Sequence, residues 1–257
     1  MSVLVIVAAG AVTGLFVGTL ASKRRARVGE DRAESGGAST PERRPHRGST
    51  SNVAEWPAGV VRPKPLGVPF AEGIDRPVWP LQTRHPRRGV VSYRGVDGKV
   101  RGNWARRFAA PRGGRNGKPA RNHAGIDLFA YAGDPVVAMA DGVVTAVQSF
   151  HLGSWAVFVE HGDVVVMYGE VEARSWRSLG VSVGSTVRAG QAIAAVACMV
   201  RGEQGECTSH MLHLETYGPG TTHNQRWYAG EAAPPALRDP SRLLLRAAQQ
   251  PSTPAVA

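Results

Sequence analysis

The chain has 257 residues, 42% of them hydrophobic, with 31 Lys+Arg against 20 Asp+Glu. That length suits one domain of ordinary size with appendages, and 31 Gly with 18 Pro argue against a long helical bundle and for short strands joined by tight turns. A net charge of +11 ordinarily suggests nucleic acid, anionic lipid or an anionic polymer, but residues 121–246 hold 9 Arg/Lys and 12 Asp/Glu, net −3, so the basic excess lies outside them.

Residues 3–21 are nineteen consecutive residues without a charge. At about 1.5 Å per residue they nearly span a hydrocarbon core of about 30 Å, which predicts a transmembrane anchor over residues 1–22. A cleaved signal peptide fits less well, because no basic residue precedes the run and it is longer than an ordinary signal core. Gly10, Gly14 and Gly18 recur every fourth residue, a spacing through which two such helices can associate closely. Lys23, Arg24, Arg25 and Arg27 follow directly; the positive-inside rule would keep them, and the chain after them, in the cytoplasm.

Residues 23–59 are rich in Gly, Ser, Pro, Arg and Glu with almost no aliphatic clustering, and they read as a disordered tether. Val, Trp, Phe and Tyr return among prolines over residues 60–120, which predicts an irregular basic lead-in packed on a domain. Its last part, residues 99–121, carries eight basic residues and no acid. With Trp104 and Phe108 interleaved it resembles a nucleic-acid patch, but such a loop is more often a solvated rim or a contact for acidic groups on a polymer, so nucleic acid is not the expected partner.

From residue 121 the texture changes to short apolar runs separated by turn chemistry. Residues 135–140, 143–147, 155–160, 164–168, 191–197 and 211–217 each read as a strand, rich in Val, Ile and aromatics. Gly133-Asp134, Asp141-Gly142, His161-Gly162-Asp163 and Ala189-Gly190 separate them. The predicted class is mainly β, a compact antiparallel sheet or sandwich over residues 121–246. Asp239 and Pro240 predict the start of a short helix over residues 242–249, and residues 247–257 read as a tail. Cys198 and Cys207 read either as a clip across a hairpin loop in an oxidising compartment or as two reduced, unrelated thiols.

His123 and Asp127 stand four apart in an extended stretch, so both side chains can reach one point in space. In residues 211–217 Met211, His213 and Glu215 face one way and Leu212 and Leu214 the other, toward a core. Two histidines and one carboxylate, His123, Asp127 and His213, make a competent catalytic zinc set with a fourth position open to water. Glu215 reads either as a group that orients His213 or as an exposed cross-strand partner. Tyr168 and Tyr217 read as core edge or groove lining; His151, His161 and His223 fall at turns and read as surface residues.

Several runs together carry a resemblance: His123-Ala-Gly-Ile-Asp127, Gly133-Asp-Pro-Val136-Val-Ala138, Asp141-Gly142-Val-Val, Val-Glu-His161-Gly-Asp, Val187-Arg-Ala-Gly190-Gln191-Ala-Ile193, Leu212-His213-Leu-Glu215 and Asp239-Pro-Ser. In order and spacing they resemble the lysostaphin/LytM-type zinc endopeptidase domain, also called the duplicated hybrid motif. The resemblance implies a compact antiparallel β domain, Zn2+ held by His123, Asp127 and His213, and hydrolysis of peptide cross-bridges in peptidoglycan. The chain departs from that pattern twice. The family's second motif is His-x-His, and Met211 stands at its first histidine; a further family histidine follows the Tyr-Gly pair, and Glu170 stands there. Glu170 is therefore the candidate general base, and His210 would serve if a β-bulge re-aimed it. The expected function is a membrane-anchored, peptidoglycan-cleaving zinc peptidase with its domain periplasmic or extracellular. The alternative is a zinc-binding module of little or no activity that regulates the cell-wall machinery.

Overall fold

The computed structural model describes residues 56–114 and 119–250. The predicted anchor over residues 1–22, most of the tether and residues 251–257 lie outside the described residues. Among the described residues no helix is long and apolar enough to cross a membrane. The described residues cluster as one compact unit, and Trp56 already packs its ring edge against Phe70 at 5.3 Å, so the folded part begins before residue 60.

The centre is a seven-stranded antiparallel sheet: β1 (Ile126–Leu128), β2 (Gly142–Ser149), β3 (Trp155–His161), β4 (Val164–Val171), β5 (Thr186–Val187), β6 (Leu212–Tyr217) and β7 (Leu237–Arg238). They run in the order β5-β2-β3-β4-β6, and β6 pairs along its far edge with β1 through residues 212–214 and with β7 through residues 216–217. The Val-rich runs of β3 and β4 are buried nearly throughout, so both faces of the sheet centre are covered rather than one being wet. A small two-stranded sheet of Pro135–Val137 with Ala192–Ala195 shares this core through Val136 and Ile193.

The lead-in is bound into the domain by backbone pairing. Val78 N–H donates to the Met139 carbonyl, Gln82 N–H to Pro135 and Ala71 N–H to Asp239. Its last portion forms a 3-10 turn at Trp104–Arg106, capped by the Asn103 side chain, and then a ladder of Pro111–Arg112 with Arg121–Asn122. The C-terminal helix α2 (Ser241–Ala247), following a four-residue helix α1 (Ser175–Ser178), starts where the Asp239 carboxylate accepts the Ser241 N–H at 2.8 Å. Cys198 and Cys207 are disulfide-bonded across the hairpin of Val200–Arg201 with Cys207–Ser209, just ahead of β6.

His161 is a correction to the sequence reading. It is the last residue of β3, just before the turn, and it is buried: its Nδ1 meets the Asp141 carbonyl at 3.0 Å and its Nε2 meets the Tyr168 hydroxyl at 3.1 Å. The Tyr168 oxygen in turn accepts the Met139 N–H. The ring fills the space under Gly142, where a Cβ would strike His161, so a residue next to a turn need not be a surface residue. Tyr168 and Tyr217 are both fully buried.

Candidate metal centre

β6 is the strand that assembles the site. His213 stands directly opposite Asp127 of β1 on one side and Gly169 of β4 on the other, which places all three on one face. His213 Nδ1 lies 2.8 Å from Asp127 Oδ1 and 3.1 Å from His123 Nε2; His123 Nε2 is 3.1 Å from the same carboxylate oxygen. The three residues are buried and form the only group of potential metal-ligand side chains of this kind among the described residues.

The neighbouring hydrogen bonds orient this group. His123 Nδ1–H donates to the Arg107 carbonyl at 2.9 Å, which leaves the Nε2 lone pair facing the centre. His213 Nε2 meets Glu215 Oε1 at 2.9 Å, and the other oxygen of Glu215 takes the Tyr217 hydroxyl, which itself accepts the Gln225 N–H. The Phe150 ring stacks on His213 at 5.4 Å. Arg112 Nη2 approaches Asp127 Oδ2 at 3.3 Å and leaves Oδ1 for the centre.

Three acceptor atoms therefore face a common point, and positive charge has to lie among them. Without a metal that charge is a proton. Burial alone would depress the His213 pKa, but hydrogen bonds to Asp127 and Glu215 outweigh it and push it up to about 10. Burial would likewise raise the Asp127 carboxyl, yet the two imidazoles hold it well below the usual carboxylate range. His123 is shifted down by burial and stays a neutral lone-pair donor. The edges of the triangle match the face of a zinc tetrahedron, whose ligands at about 2.0–2.1 Å lie about 3.3 Å from one another. The donor set and its spacing fit zinc.

Glu170 borders this centre in an unusual backbone. Between Gly169 and Val171 the pairing of β4 with β3 gains one residue, and Glu170 is that residue, at φ 60°. A non-glycine side chain in the left-handed region costs on the order of 1 kcal/mol or more, and such strain clusters at functional sites. The side chain is buried and its Oε2 has no hydrogen-bond partner. Burial pushes the Glu170 carboxyl up to about 7, opposed by the field of His213 and reinforced by that of Asp127. His210 is placed elsewhere: β6 begins only at Leu212, and the His210 ring packs on Tyr131 at 5.5 Å, outside the triad. Met211 lies on the strand approach two residues before His213.

Residues 121–225 match the model of peptidase family M23. This segment is an M23 domain. A Helicobacter pylori protein, Csd3, is similar in structure at 18% identity, with 63% of this chain and 36% of that one covered and a TM-score of 0.34. The catalytic domain of lysostaphin from Staphylococcus simulans gives 22%, 48%, 84% and 0.34 for the same quantities. A zinc-containing peptidase from Vibrio cholerae gives 22%, 56%, 47% and 0.33. The chain thus spans little more than a third of the Csd3 chain. No curated protein matches the sequence.

The M23 match makes this a metallopeptidase-type domain, and the triad and Glu170 fall inside it. Three contributors to the site fall before it. Arg107 supplies the carbonyl that orients His123, Arg112 holds Asp127, and Arg106 lies in the field of Asp127 and Glu170. Sequence reading took this basic run for a rim; its only signal was that it abuts the His123 motif and carries the positive charge that a buried carboxylate pair needs. Phe150 gave no signal of its own.

Proposed function

We propose that the protein is a membrane-anchored zinc metallopeptidase that hydrolyses peptide cross-bridges of peptidoglycan. The observation that carries this reading is the pairing of a zinc-shaped triad with an unpartnered buried carboxylate, Glu170, held beside it in strained backbone. Zinc bound by His123, Asp127 and His213 would polarise the scissile carbonyl and bring the pKa of an attacking water toward neutrality. Glu170 Oε2 takes the proton as that water's oxygen bonds to the carbonyl carbon. The C–N bond then breaks, and Glu170 returns the proton to the leaving amine. The chain of His213, Glu215 and Tyr217 keeps the imidazole in one tautomer throughout.

The apolar run over residues 3–21 would tether the domain, with self-association through Gly10, Gly14 and Gly18. The disulfide suits an oxidising space outside the cytoplasm. The weakly active regulatory module is the second reading, favoured by Met211, which can neither accept nor donate a proton. Zinc analysis of the purified full chain combined with peptidoglycan digestion separates the two. One zinc per chain with release of peptide fragments, abolished in Glu170→Gln, supports the peptidase. One zinc with an undigested wall supports the module.

A further inference from the structure

A cavity of about 340 Å³ is lined by His85, Arg87, Arg106, Phe129, His210 and Met211 among others, Met211 standing two residues before the metal-site His213. No carboxylate lines it. Among the described residues neither Arg87 nor Arg106 is in an ion pair. Both guanidinium groups lie over the Phe129 ring, at 5.3 and 4.3 Å from its centroid, and His85 stacks on the same ring at 5.3 Å. His85 Nδ1 accepts the Arg87 N–H at 3.0 Å, so its Nε2 is left to carry a donor hydrogen. Two like charges are thus gathered around one aromatic ring, where the cation–π attraction offsets only part of their mutual repulsion. An anion between them would remove the rest.

The cavity's position decides what the anion belongs to. Arg106 reaches from it into the field of Asp127 and Glu170, and Met211 joins its wall to the strand bearing His213. A group bound there is therefore continuous with the bond placed at the metal centre. Guanidinium forks match a carboxylate with two parallel hydrogen bonds, and the Phe129 ring holds both of them at the cavity wall. We infer that this cavity is a specificity site for a free carboxylate on a substrate residue next to the scissile bond, with Arg87 and Arg106 as anchors and His85 as a third donor. The inference rests on the peptidase reading of the adjacent centre.

Two walls test it: purified peptidoglycan, and the same material with its carboxyl groups converted to amides. The zinc-loaded full chain is expected to cleave the native wall about tenfold faster at low substrate than the amidated one, and without zinc to co-sediment with it about tenfold more tightly. Arg87→Gln and Arg106→Gln should each reduce that preference. Arg84→Gln with Arg88→Gln, which removes equal charge from the same segment outside the cavity, should preserve it. Equal treatment of the two walls, or a preference that survives Arg87→Gln and Arg106→Gln, overturns the inference. If zinc is bound and neither wall is cut, the peptidase reading fails, and co-sedimentation with the same variants still decides whether the cavity selects carboxylates.

Discussion

His213 and Asp127 face each other across the pairing of β6 with β1, and the 2.8 Å between Nδ1 and Oδ1 makes that cross-strand pair one edge of the metal triangle. The sheet fixes this edge with backbone hydrogen bonds, so only His123, two residues before Gly125, must be brought in from irregular chain.

Gly125 is what allows that approach. A Cβ there would collide with the Leu214 carbonyl and lie 2.9 Å from both the Glu215 side chain and the His213 ring. Two of these neighbours are fixed by strand pairing or by the centre itself. Gly125→Ala is expected to lower stability by about 1–3 kcal/mol and to drop zinc content well below one per chain, read by thermal unfolding and metal analysis.

Glu215 accepts from His213 Nε2 and from Tyr217 within a fully buried chain of hydrogen bonds. Glu215→Ala removes the group that fixes the His213 tautomer and leaves the Tyr217 hydroxyl without its acceptor. Zinc affinity should fall roughly 10–100-fold in competition against a chromophoric chelator.

Glu170 should trade stability for turnover. Its folded-state pKa of about 7 lies above the usual 4.5, so the metal-free protein loses stability as pH rises between those values, by up to about 3 kcal/mol. Glu170→Gly removes both that loss and the left-handed strain. Above pH 7 the metal-free variant should unfold at a higher temperature than the metal-free parent, while the zinc-loaded variant should cleave no wall.

The same carboxyl sets an acid limb on activity. A general base works only when ionised, so kcat should fall as pH drops through a value at or below about 7, since a bound cation favours the carboxylate. Glu170→Gln should lower kcat about 10²–10⁴-fold with zinc content unchanged.

Asp239 supplies a control far from metal chemistry. Burial pushes its carboxyl up to about 6, against the opposing hydrogen bonds from Ser241. Because the folded pKa exceeds the ordinary value of 3.8, stability is lost as pH rises from about 4 to about 6. Asp239→Asn keeps an acceptor for the Ser241 N–H and should gain about 1–3 kcal/mol at pH 7, with a flatter pH dependence in denaturant titrations.

The β class, the main strand runs and the C-terminal helix are legible in the sequence, because period-two apolar patterning and turn residues are local properties, whereas the pairing of Cys198 with Cys207 is supplied by the structure. The sequence also brings out His123, Asp127 and His213, whose residue types and strand parity are written in short motifs. What surrounds them is set by contacts between distant parts of the chain. His161, the last residue of β3, is buried because its ring packs between the Asp141 carbonyl, Gly142 and the Tyr168 hydroxyl, and parity cannot say which strand ends are covered. Glu170 faces the centre because one extra residue bulges β4, and His210 turns to Tyr131 because β6 starts after it; neither shift is visible in a pattern that assumes regular pairing. The basic lead-in becomes part of the site for the same reason. Whether Arg106, Arg107 and Arg112 meet solvent or a buried carboxylate depends on contacts between residues far apart in the chain.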